Sequence, residues 1–344
     1  MFEPIMPPYK VPYWDRDYEI ELERKFHTRK PQRVFDAHFH LSAVGDIYNC
    51  PPEKVFDTYI RATEAVLGEG CLQGGLIMGN PKNFASKELL DEDRHFSRDI
   101  AERTPNFVNG LVVRPQDGRD DAEAWLRKYP YIVALKPYRM YAPVPDTQNV
   151  DILDFAPEWM WQLASDYNLA VVLHISHDRH MLSDPRNGEQ IRYLSQKYPN
   201  VAMILAHCAM GHHPAKLQKG LPYLEGLHNV WVDCSGTSDP ASIMLCLKAL
   251  GHEKMLYGTD GYQFGHEIGR VMSCGSGFLG LHPDARDTYP IPKLPKEYSY
   301  RAIRNIHEGL SALYMAGDLL DLTQQQWDDI FWNNAARLFL SRVR

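Results

Sequence analysis

The feature that most constrains the fold is a series of eight short apolar segments, each separated from the next by enough residues for a helix. Short apolar runs that alternate with helical patterns are typical of βα units with parallel strands. Eight such units close into a (β/α)8 barrel of roughly 250 residues, so we predict an α/β fold, a TIM barrel. The predicted strands are RVFDAHFH (33–40), GGLIMG (74–79), FVNGLVVRP (107–115), IVALKPY (132–138), AVVLHIS (170–176), VAMILAHC (201–208), NVWVDCSG (229–236) and KMLYGTDG (254–261).

Two intervening segments carry clear helix signals. Asp184 is suited to cap a helix that starts at Pro185, and the apolar residues that follow recur at spacings of three and four. Thr323 and Gln326 have the spacing of a capping box, which predicts a terminal helix that packs on the barrel.

The barrel is expected to occupy residues 31–344 and to follow an N-terminal extension, residues 1–30, that lacks clear periodicity. We expect this extension to wrap the body or an interface. A Gly- and Pro-rich stretch at about 261–300 predicts a long loop insertion after the eighth strand. Loops after barrel strands lie on the active-site face, so this one is a candidate lid or specificity loop.

Composition limits the partners. The net charge of −7 and the lack of a basic run argue against nucleic acid and anionic membranes. No apolar window approaches the ~20 residues that span a bilayer, and prolines and acids interrupt the start of the chain, so a cytoplasmic location is expected. The six scattered cysteines predict reduced, mostly buried thiols. The expected partner is a small-molecule substrate, with a homo-oligomer as an open possibility.

Ionisable side chains end several predicted strands. The carboxyl ends of barrel strands surround one mouth, so residues far apart in sequence converge there. Because side chains alternate along a strand, His38 and His40 share a face, whereas Phe35, Ala37 and Phe39 should point to the helices. The residues predicted to meet at the mouth are His38, His40, Lys136, His174, His207 and Asp260.

Metal binding is the chemistry that these residue types share. Neutral imidazole suits zinc, iron, nickel or cobalt, and three histidines with one carboxylate leave a position open for water. A divalent ion lowers the pKa of bound water from about 15.7 to near 7. Asp260 could then take a proton from this water, and a protonated His207 could polarise a substrate carbonyl. A lone histidine is more often structural, but the joint pattern at several strand ends favours a metal site.

Two residues near this set have more than one interpretation. Asp36 is either a partner that fixes an imidazole or only a hydrogen-bonding residue of the strand. If Lys136 is carboxylated by carbon dioxide it would bridge two metals, and a free lysine would instead bind substrate or an internal carboxylate.

Further polar residues follow the predicted strands three to six. They either contact an anionic or polar substrate or form ordinary surface interactions. The candidate substrate contacts are Arg114, Tyr138, Arg139, His177 and Arg179. The loop histidines expected to be solvated or to face substrate, rather than to bind metal, are His177, His180, His212 and His213.

The order of these residues, HxH on the first strand, His on the fifth and sixth and Asp on the eighth, resembles the amidohydrolase superfamily. More closely, VFDAHFHL, VVLHIS, VAMILAHC, VWVDCSG, LYGTDG and NNAARLF are similar to the amidohydrolase-2 branch. That branch includes aminocarboxymuconate-semialdehyde decarboxylase and related hydrolases and lactonases. The similarity spans about residues 31–344 and is specific for the fold and the metal, not for the substrate.

The resemblance implies a TIM barrel of the metal-dependent hydrolase type. It implies that His38, His40 and His174 bind one divalent metal ion, usually zinc. Asp260 is then the weaker ligand and the acid/base, and His207 orients water or substrate. Two-metal members use a carboxylated lysine on strand four, where Lys136 has a compatible place. Departures from the family are the segment GTDGYQFGHEIGR and the 30-residue extension, which is a candidate for oligomer contacts.

Three functions are compatible with these observations. The first is a metal-dependent hydrolase that uses activated water to attack an amide or lactone carbonyl of a small, polar or anionic substrate. The second is a metal-dependent non-oxidative decarboxylase or hydratase on the same site. The third is a barrel that binds metal without turnover. A structural zinc site normally closes its coordination shell, whereas these ligands line a barrel mouth and Asp260 is available for chemistry.

Overall fold

The fold is an eight-stranded parallel barrel. The computed structural model describes residues 2–6, 14–42, 50–80, 86–177, 180–274, 277–280 and 303–344. Each strand pairs with the next one in sequence. Hydrogen bonds from Ala37 N to the Tyr257 carbonyl (2.8 Å) and from Asp260 N to the His38 carbonyl (2.8 Å) join the first strand to the last. The predicted TIM barrel is therefore confirmed. Its strands are β1 Val34–His40, β2 Leu72–Met78, β3 Phe107–Val113, β4 Ile132–Pro137, β5 Ala170–Leu173, β6 Ala202–Leu205, β7 Val230–Asp233 and β8 Met255–Leu256.

Helices follow the strands as βα units require. Asp184 caps the helix Pro185–Lys197 by accepting from Arg186 N, and Thr323 and Gln326 form the predicted capping box. A wider turn at Asp329–Asn333 joins the last two helices. The helices are α1 Arg16–His27, α2 Val55–Leu67, α3 Lys87–Arg103, α4 Gly118–Lys128, α5 Ile152–Phe155, α6 Glu158–Asp166, α7 Pro185–Lys197, α8 Pro214–Gly220, α9 Pro240–Leu250, α10 Asn305–Leu319, α11 Gln324–Asp328 and α12 Asn334–Leu340.

Two apolar layers pack against the barrel wall. One fills the space between strands and helices, and a smaller one contains strand residues together with the C-terminal helix. Phe35 and Ala37 belong to the smaller layer, where the Phe35 ring stacks on Phe339 with centroids 5.7 Å apart. Because this layer takes the inner residues of the strands, Phe35 and Ala37 face the barrel interior and the C-terminal helix that closes it, so the prediction that they share the outer side of Phe39 was wrong. The pairing of β1 with β2 shifts register between Asp36 and Phe39, and this irregularity interrupts the simple alternation.

Several strands end earlier than predicted. β5 ends at Leu173 and β8 contains only Met255 and Leu256, so the polar residues that follow are held by turns. His207 and Asp260 have φ angles of 58° and 54°, and this left-handed backbone cannot continue a strand. His174, His207 and Asp260 therefore stand just beyond the regular sheet, whereas His38, His40 and Lys136 lie on β1 and β4.

The N-terminal extension contains a helix that its sequence pattern did not predict. The side chains that α1 buries include Glu19 and Glu23 as well as Phe26. A helix whose buried face is charged lacks the apolar stripe on which recognition depends. Its Asp15 cap accepts from Tyr18 N.

The predicted long loop at 261–300 is described only in part. One helical turn, Gln263–Glu267, follows Asp260, and β9 (Val271–Cys274) pairs antiparallel with β10 (Gly277–Gly280). Residues 275–276 and 281–300 lie outside the described residues.

Two smaller predictions concern membranes and cysteines. Within the described residues, no helix is both long and apolar enough to cross a membrane. Cys71, Cys208, Cys234 and Cys246 are buried free thiols, as expected, and Cys50 is a partly buried one.

Candidate metal centre

The two histidines of β1 converge on one point. Their Nε2 atoms lie 3.2 Å apart. His38 Nδ1 is 2.8 Å from Asp233 Oδ2, and His40 Nδ1 is 2.9 Å from the Gly79 carbonyl oxygen. Because carboxylate and carbonyl oxygens only accept, each Nδ1 carries the proton in the neutral ring. Both Nε2 atoms therefore present lone pairs toward each other.

Asp260 brings a further acceptor to the same point. Its Oδ1 lies 3.7 Å from the Nε2 atoms of both His38 and His40. Its Oδ2 lies 3.8 Å from His207 Nδ1. Donor atoms of His38, His207 and Asp260 all lie within 4.8 Å of one another, so this group could hold a metal ion.

Asp233, at the end of β7, is a central residue that the sequence analysis did not single out. Besides its contact with His38, its Oδ1 accepts from His207 N (3.1 Å) and from Ser235 N (3.1 Å). One buried carboxylate thus orients His38 through its ring and His207 through its backbone. Its position as the one charged residue of the seventh predicted strand, NVWVDCSG (229–236), was the available signal.

His207 is oriented by Ser235. Its Nδ1 lies 2.9 Å from the Ser235 carbonyl oxygen and 3.0 Å from Ser235 Oγ. The carbonyl accepts only, so the neutral ring carries its proton on Nδ1 and presents a lone pair at Nε2. Burial also lowers the pKa of His207. The neutral ring is therefore better suited to accept a proton or bind a cation than to donate to a substrate carbonyl.

Lys136 is fully buried beside these acceptors. Its Nζ lies 3.4 Å from His38 Nε2 and 5.4 Å from the centroid of the Tyr138 ring. Burial lowers the pKa of Lys136 to about 8, against the opposing charges of Asp233 and Asp260. The lysine thus lies at the mouth as predicted.

His174 borders the cluster without joining its tightest group. Its ring centroid is 5.1 Å from that of His207 and 5.1 Å from that of Tyr138. Its Nδ1 is buried and makes no hydrogen bond to any described residue. Burial lowers the pKa of His174 well below its usual value, and Arg139 begins the short helical turn, Arg139–Tyr141, that follows β4.

Asp36 supports the site from behind. It accepts hydrogen bonds from Tyr59 OH (2.5 Å), from Thr259 N (3.1 Å) and Oγ1 (2.6 Å), and from His38 N (3.1 Å). It bonds to the backbone of His38 rather than to an imidazole. Asp36 therefore ties β1 to the residue before Asp260, which is the strand-bonding alternative of the two considered.

Burial changes the protonation of the acceptors. It lowers the pKa of His38 and His40 well below the usual imidazole value, and the charge of Lys136 acts in the same direction. It raises the pKa of Asp260 to about 7, where Lys136 opposes the rise and Asp233 adds to it. The imidazoles are therefore in the neutral form that binds metals.

The outer candidates vary in position. Arg114 forms an ion pair with Asp117 in its own loop, with Nη2 to Oδ1 at 2.6 Å, which is the ion-pair alternative, with both side chains largely buried rather than at the surface. His177 is buried, with Nε2 3.1 Å from Asp151 Oδ1, so of its two expected settings, in solvent or facing substrate, the solvated one is wrong. The Asp151 carboxylate precedes α5 and holds the ring inside the protein. Arg179 lies outside the described residues.

The remaining loop histidines are distributed around the mouth. His180 is exposed and His213 is partly exposed. His212 is buried, and its ring centroid lies 5.9 Å from that of His207. Of these three histidines, His212 is therefore the one whose ring lies beside His207.

The fold and these polar residues at its mouth define a barrel of the amidohydrolase type. The sequence profile of the amidohydrolase family (Amidohydro_2) matches residues 35–340. The chain therefore belongs to this family, as the motifs predicted. No match was found among proteins of curated function.

Solved structures share the fold at low sequence identity. An amidohydrolase from Burkholderia multivorans with bound zinc has 10% identity and a TM-score of 0.54. The alignment covers 90% of this chain and 99% of the Burkholderia chain. The 5-carboxyvanillate decarboxylase LigW from Sphingomonas paucimobilis has 13% identity, a TM-score of 0.52 and the same coverage. A probable 2-pyrone-4,6-dicarboxylic acid hydrolase from Acinetobacter baumannii has 13% identity and a TM-score of 0.52, over 89% and 99% of the two chains.

Proposed function

We propose that this protein is a metal-dependent hydrolase that adds water to an amide or lactone carbonyl of a small, polar or anionic molecule. One observation carries the proposal: the two Nε2 lone pairs of His38 and His40 face each other 3.2 Å apart, with Asp260 Oδ1 3.7 Å from each. Facing lone pairs in a buried site are disfavoured unless a cation lies beside them; the Lys136 ammonium, 3.4 Å from His38 Nε2, is one such cation, and a divalent ion among the three acceptors would be another.

The residues present fit a single divalent ion, zinc being the usual choice for this donor set. His38, His40 and Asp260 would hold it, with His174 as the predicted further ligand. The buried Nδ1 of His174 has no hydrogen-bond partner among the described residues, which fits a ring that would hold an ion. When bound, such an ion would supply Lewis-acid activation of water and of the substrate carbonyl.

The chain's own residues would carry the proton transfers. Burial raises the pKa of Asp260 to about 7, and a carboxyl in that range can accept and return a proton near neutrality. The Asp233 carboxylate would keep His38 in the Nδ1-protonated tautomer. His207, with its Nδ1 held by Ser235, would offer Nε2 as an additional acceptor.

Lys136 is the proposed contact for a negatively charged substrate group. Its ammonium is buried 3.4 Å from His38 Nε2, inside the mouth rather than on its rim. A free ammonium there would bind a substrate carboxylate or enolate oxygen next to the reacting carbonyl. If carboxylated, the same side chain would instead bridge two ions, and one ion per chain is the arrangement that we favour.

The same ammonium supports a second candidate, a non-oxidative decarboxylase. A substrate carboxylate that binds Lys136 would lie beside the acceptor cluster and Asp260, which could deliver a proton to carbon as carbon dioxide leaves. The similarity to the Sphingomonas decarboxylase concerns the fold alone, so it does not choose between the two reactions.

The two reactions differ in what they do with water and carbon. The purified chain, loaded with zinc, would be assayed on lactones, amides and unsaturated carboxylic acids in water enriched in oxygen-18. Hydrolysis gives labelled product without gas, and decarboxylation gives carbon dioxide with unlabelled product. The Asp260→Asn variant should lose turnover, and His228→Gln, an exposed histidine just before β7, should not. Full turnover by Asp260→Asn would contradict the assigned role.

A further inference from the structure

The face that α1 turns to the protein carries a buried network of charges. Four charged or ionisable side chains are fully buried here: Glu19, Glu23, Arg304 and His307. Glu19 accepts from Arg304 Nε (2.9 Å) and Nη2 (2.8 Å). Glu23 accepts from Arg16 Nη2 (2.8 Å) and lies 2.9 Å from His307 Nε2. We call the five residues Arg16, Glu19, Glu23, Arg304 and His307 the charge network.

The charge network closes on itself. Glu19, Glu23 and His307 could by distance alone hold a metal ion. However, Arg304 and Arg16 already occupy oxygens of both carboxylates, so a cation would have to displace a guanidinium at each. A buried ion pair of this kind is weak evidence for net stability, because desolvation offsets the attraction, and its best-attested use is to fix a unique arrangement.

What the network fixes is the start of α10. Glu19 accepts from the backbone N of Arg304 (3.0 Å) as well as from its guanidinium. The next residue, Asn305, donates from its backbone N to the Ile268 carbonyl (2.6 Å) and accepts from Ser238 Oγ (2.5 Å). Ser238 Oγ in turn accepts from Val271 N (3.1 Å). The first turn of α10 therefore holds the loop after β7 and the segment after Asp260 together.

This first turn lies directly behind the metal centre. Asn305, Ile306 and Gly309 line a narrow gap whose other wall includes Gly236 and Thr259. A side-chain carbon at Gly309 would lie 3.4 Å from the Thr237 carbonyl oxygen. The helix and the loop after β7 are thus in contact along the wall of the gap.

Gly236 carries the contact into the site. Its φ is 62°, and a side-chain carbon there would lie 3.2 Å from Asp260 Oδ2 and 3.3 Å from His207 Nδ1. The backbone of Gly236 therefore has little clearance from either residue. A shift of α10 that moved this loop would move the two donor groups relative to His38.

We propose that the charge network is a positioning device that sets the placement of Asp260 and His207 and thereby the affinity of the mouth for a divalent ion. The inference rests on the proposed metal-dependent function. It assigns to the N-terminal helix a role in the active site, through the chain of contacts from Glu19 to Arg304, Asn305, Ser238 and the loop that contains Gly236.

The test is the zinc affinity of the full chain, measured in competition with a chromophoric chelator. Glu19→Gln keeps the size of the side chain but removes the charge that binds Arg304. Its dissociation constant for zinc should rise about tenfold, the lower end of what loss of a residue supporting a metal ligand produces. The matched control is Asp318→Asn, which removes the exposed pair between Arg29 and Asp318 at the other end of α10. Its zinc affinity should equal that of the wild type.

A second variant keeps the proposal testable if Glu19→Gln does not fold. Asn305→Ala leaves every charge in place and removes only the side-chain link to Ser238, and its zinc affinity should also fall several-fold. Wild-type affinity in a folded Glu19→Gln or in Asn305→Ala, with or without a lower Tm, would overturn the positioning role. Failure of the wild type to bind zinc would instead overturn the proposed function itself, and the positioning role with it.

Discussion

The barrel mouth and the charge network both bury ionisable side chains, but they compensate them differently. In the network each carboxylate oxygen faces an arginine or histidine nitrogen, as with Glu19 and Arg304 at 2.8 Å. At the mouth, acceptor faces acceptor: the Nε2 atoms of His38 and His40 lie 3.2 Å apart, with Asp260 beside both. The network pairs internally and is complete without a ligand, whereas the acceptors at the mouth converge on one point beside the Lys136 ammonium, 3.4 Å from His38 Nε2, an arrangement that suits a further cation.

This difference separates two groups that distance alone treats alike. Donor atoms in each lie within 4.8 Å of one another, and all residues in both are buried. The counter-charges that surround each group are what distinguish a structural cluster from a metal centre. The following predictions test that distinction.

The largest expected effect is loss of the ion from the mouth. His38→Ala removes one of the two facing Nε2 atoms and the partner of Asp233. Bound zinc should fall from one equivalent to none by elemental analysis after dialysis, while the far-ultraviolet circular dichroism stays that of the wild type. His228→Ala, at an exposed histidine before β7, should keep its zinc. Full occupancy in His38→Ala would remove this residue from the ligand set.

The next effect concerns the stability of the network. Arg304→Leu leaves Glu19 buried without its main partner, which should lower the free energy of unfolding by roughly 3–5 kcal/mol. Asp318→Asn breaks an exposed pair and should cost at most ~1 kcal/mol. Denaturant unfolding of both variants measures the difference. Equal costs would mean that burial of the network has no energetic consequence.

The pH dependence of stability should follow Glu19. Burial acts to raise its pKa, but the charges of His307 and Arg304 prevail and lower the pKa of Glu19 to about 2. A depressed carboxyl pKa stabilises the fold above its unfolded value of about 4.5 and ceases to do so as the pH falls through about 2. This contribution, up to ~3 kcal/mol, should be absent in Glu19→Gln. If the free energies of unfolding of the wild type and Glu19→Gln change in parallel between pH 2 and pH 4.5, this contribution of Glu19 is contradicted.

The smallest effect is expected for Asp233, the residue that orients the proposed metal ligand His38. Asp233→Asn retains the shape of the side chain but weakens its bond to His38 Nδ1, so zinc affinity should fall roughly 10- to 100-fold. Asp239→Asn offers a matched control, because Asp239 caps α9 and asparagine caps equally well. Competition with a chelator measures both. Unchanged affinity in Asp233→Asn would show that the carboxylate does not act through His38.

The barrel and most of its mouth could be predicted from the sequence because both depend on local patterns. Apolar runs mark the strands, and the chain order of a barrel brings His38, His207 and Asp260 together without knowledge of the loops. The packing of β1 was beyond prediction, since register shifts after Val34 and after Asp36 interrupt the alternation on which the assignment of Phe35 and Ala37 relied.

The parts that the sequence did not reveal share one property, which is that their polar groups are satisfied by distant residues. Glu19 looks solvent-exposed in sequence, yet it pairs with Arg304, 285 positions away. Asp233 reads as an ordinary strand-end residue until His38, 195 positions away, is seen against it. His177, expected either in solvent or facing substrate, is buried against Asp151. No local pattern records such partners.

The central claim, that the mouth binds the ion and the network does not, is tested most directly by the stoichiometry of zinc at saturation. We predict one equivalent for the wild type, one for His307→Ala and none for a His38→Ala/His40→Ala double variant. Loss of the ion from His307→Ala with retention in the double variant would contradict the account, as would a wild-type chain that binds none.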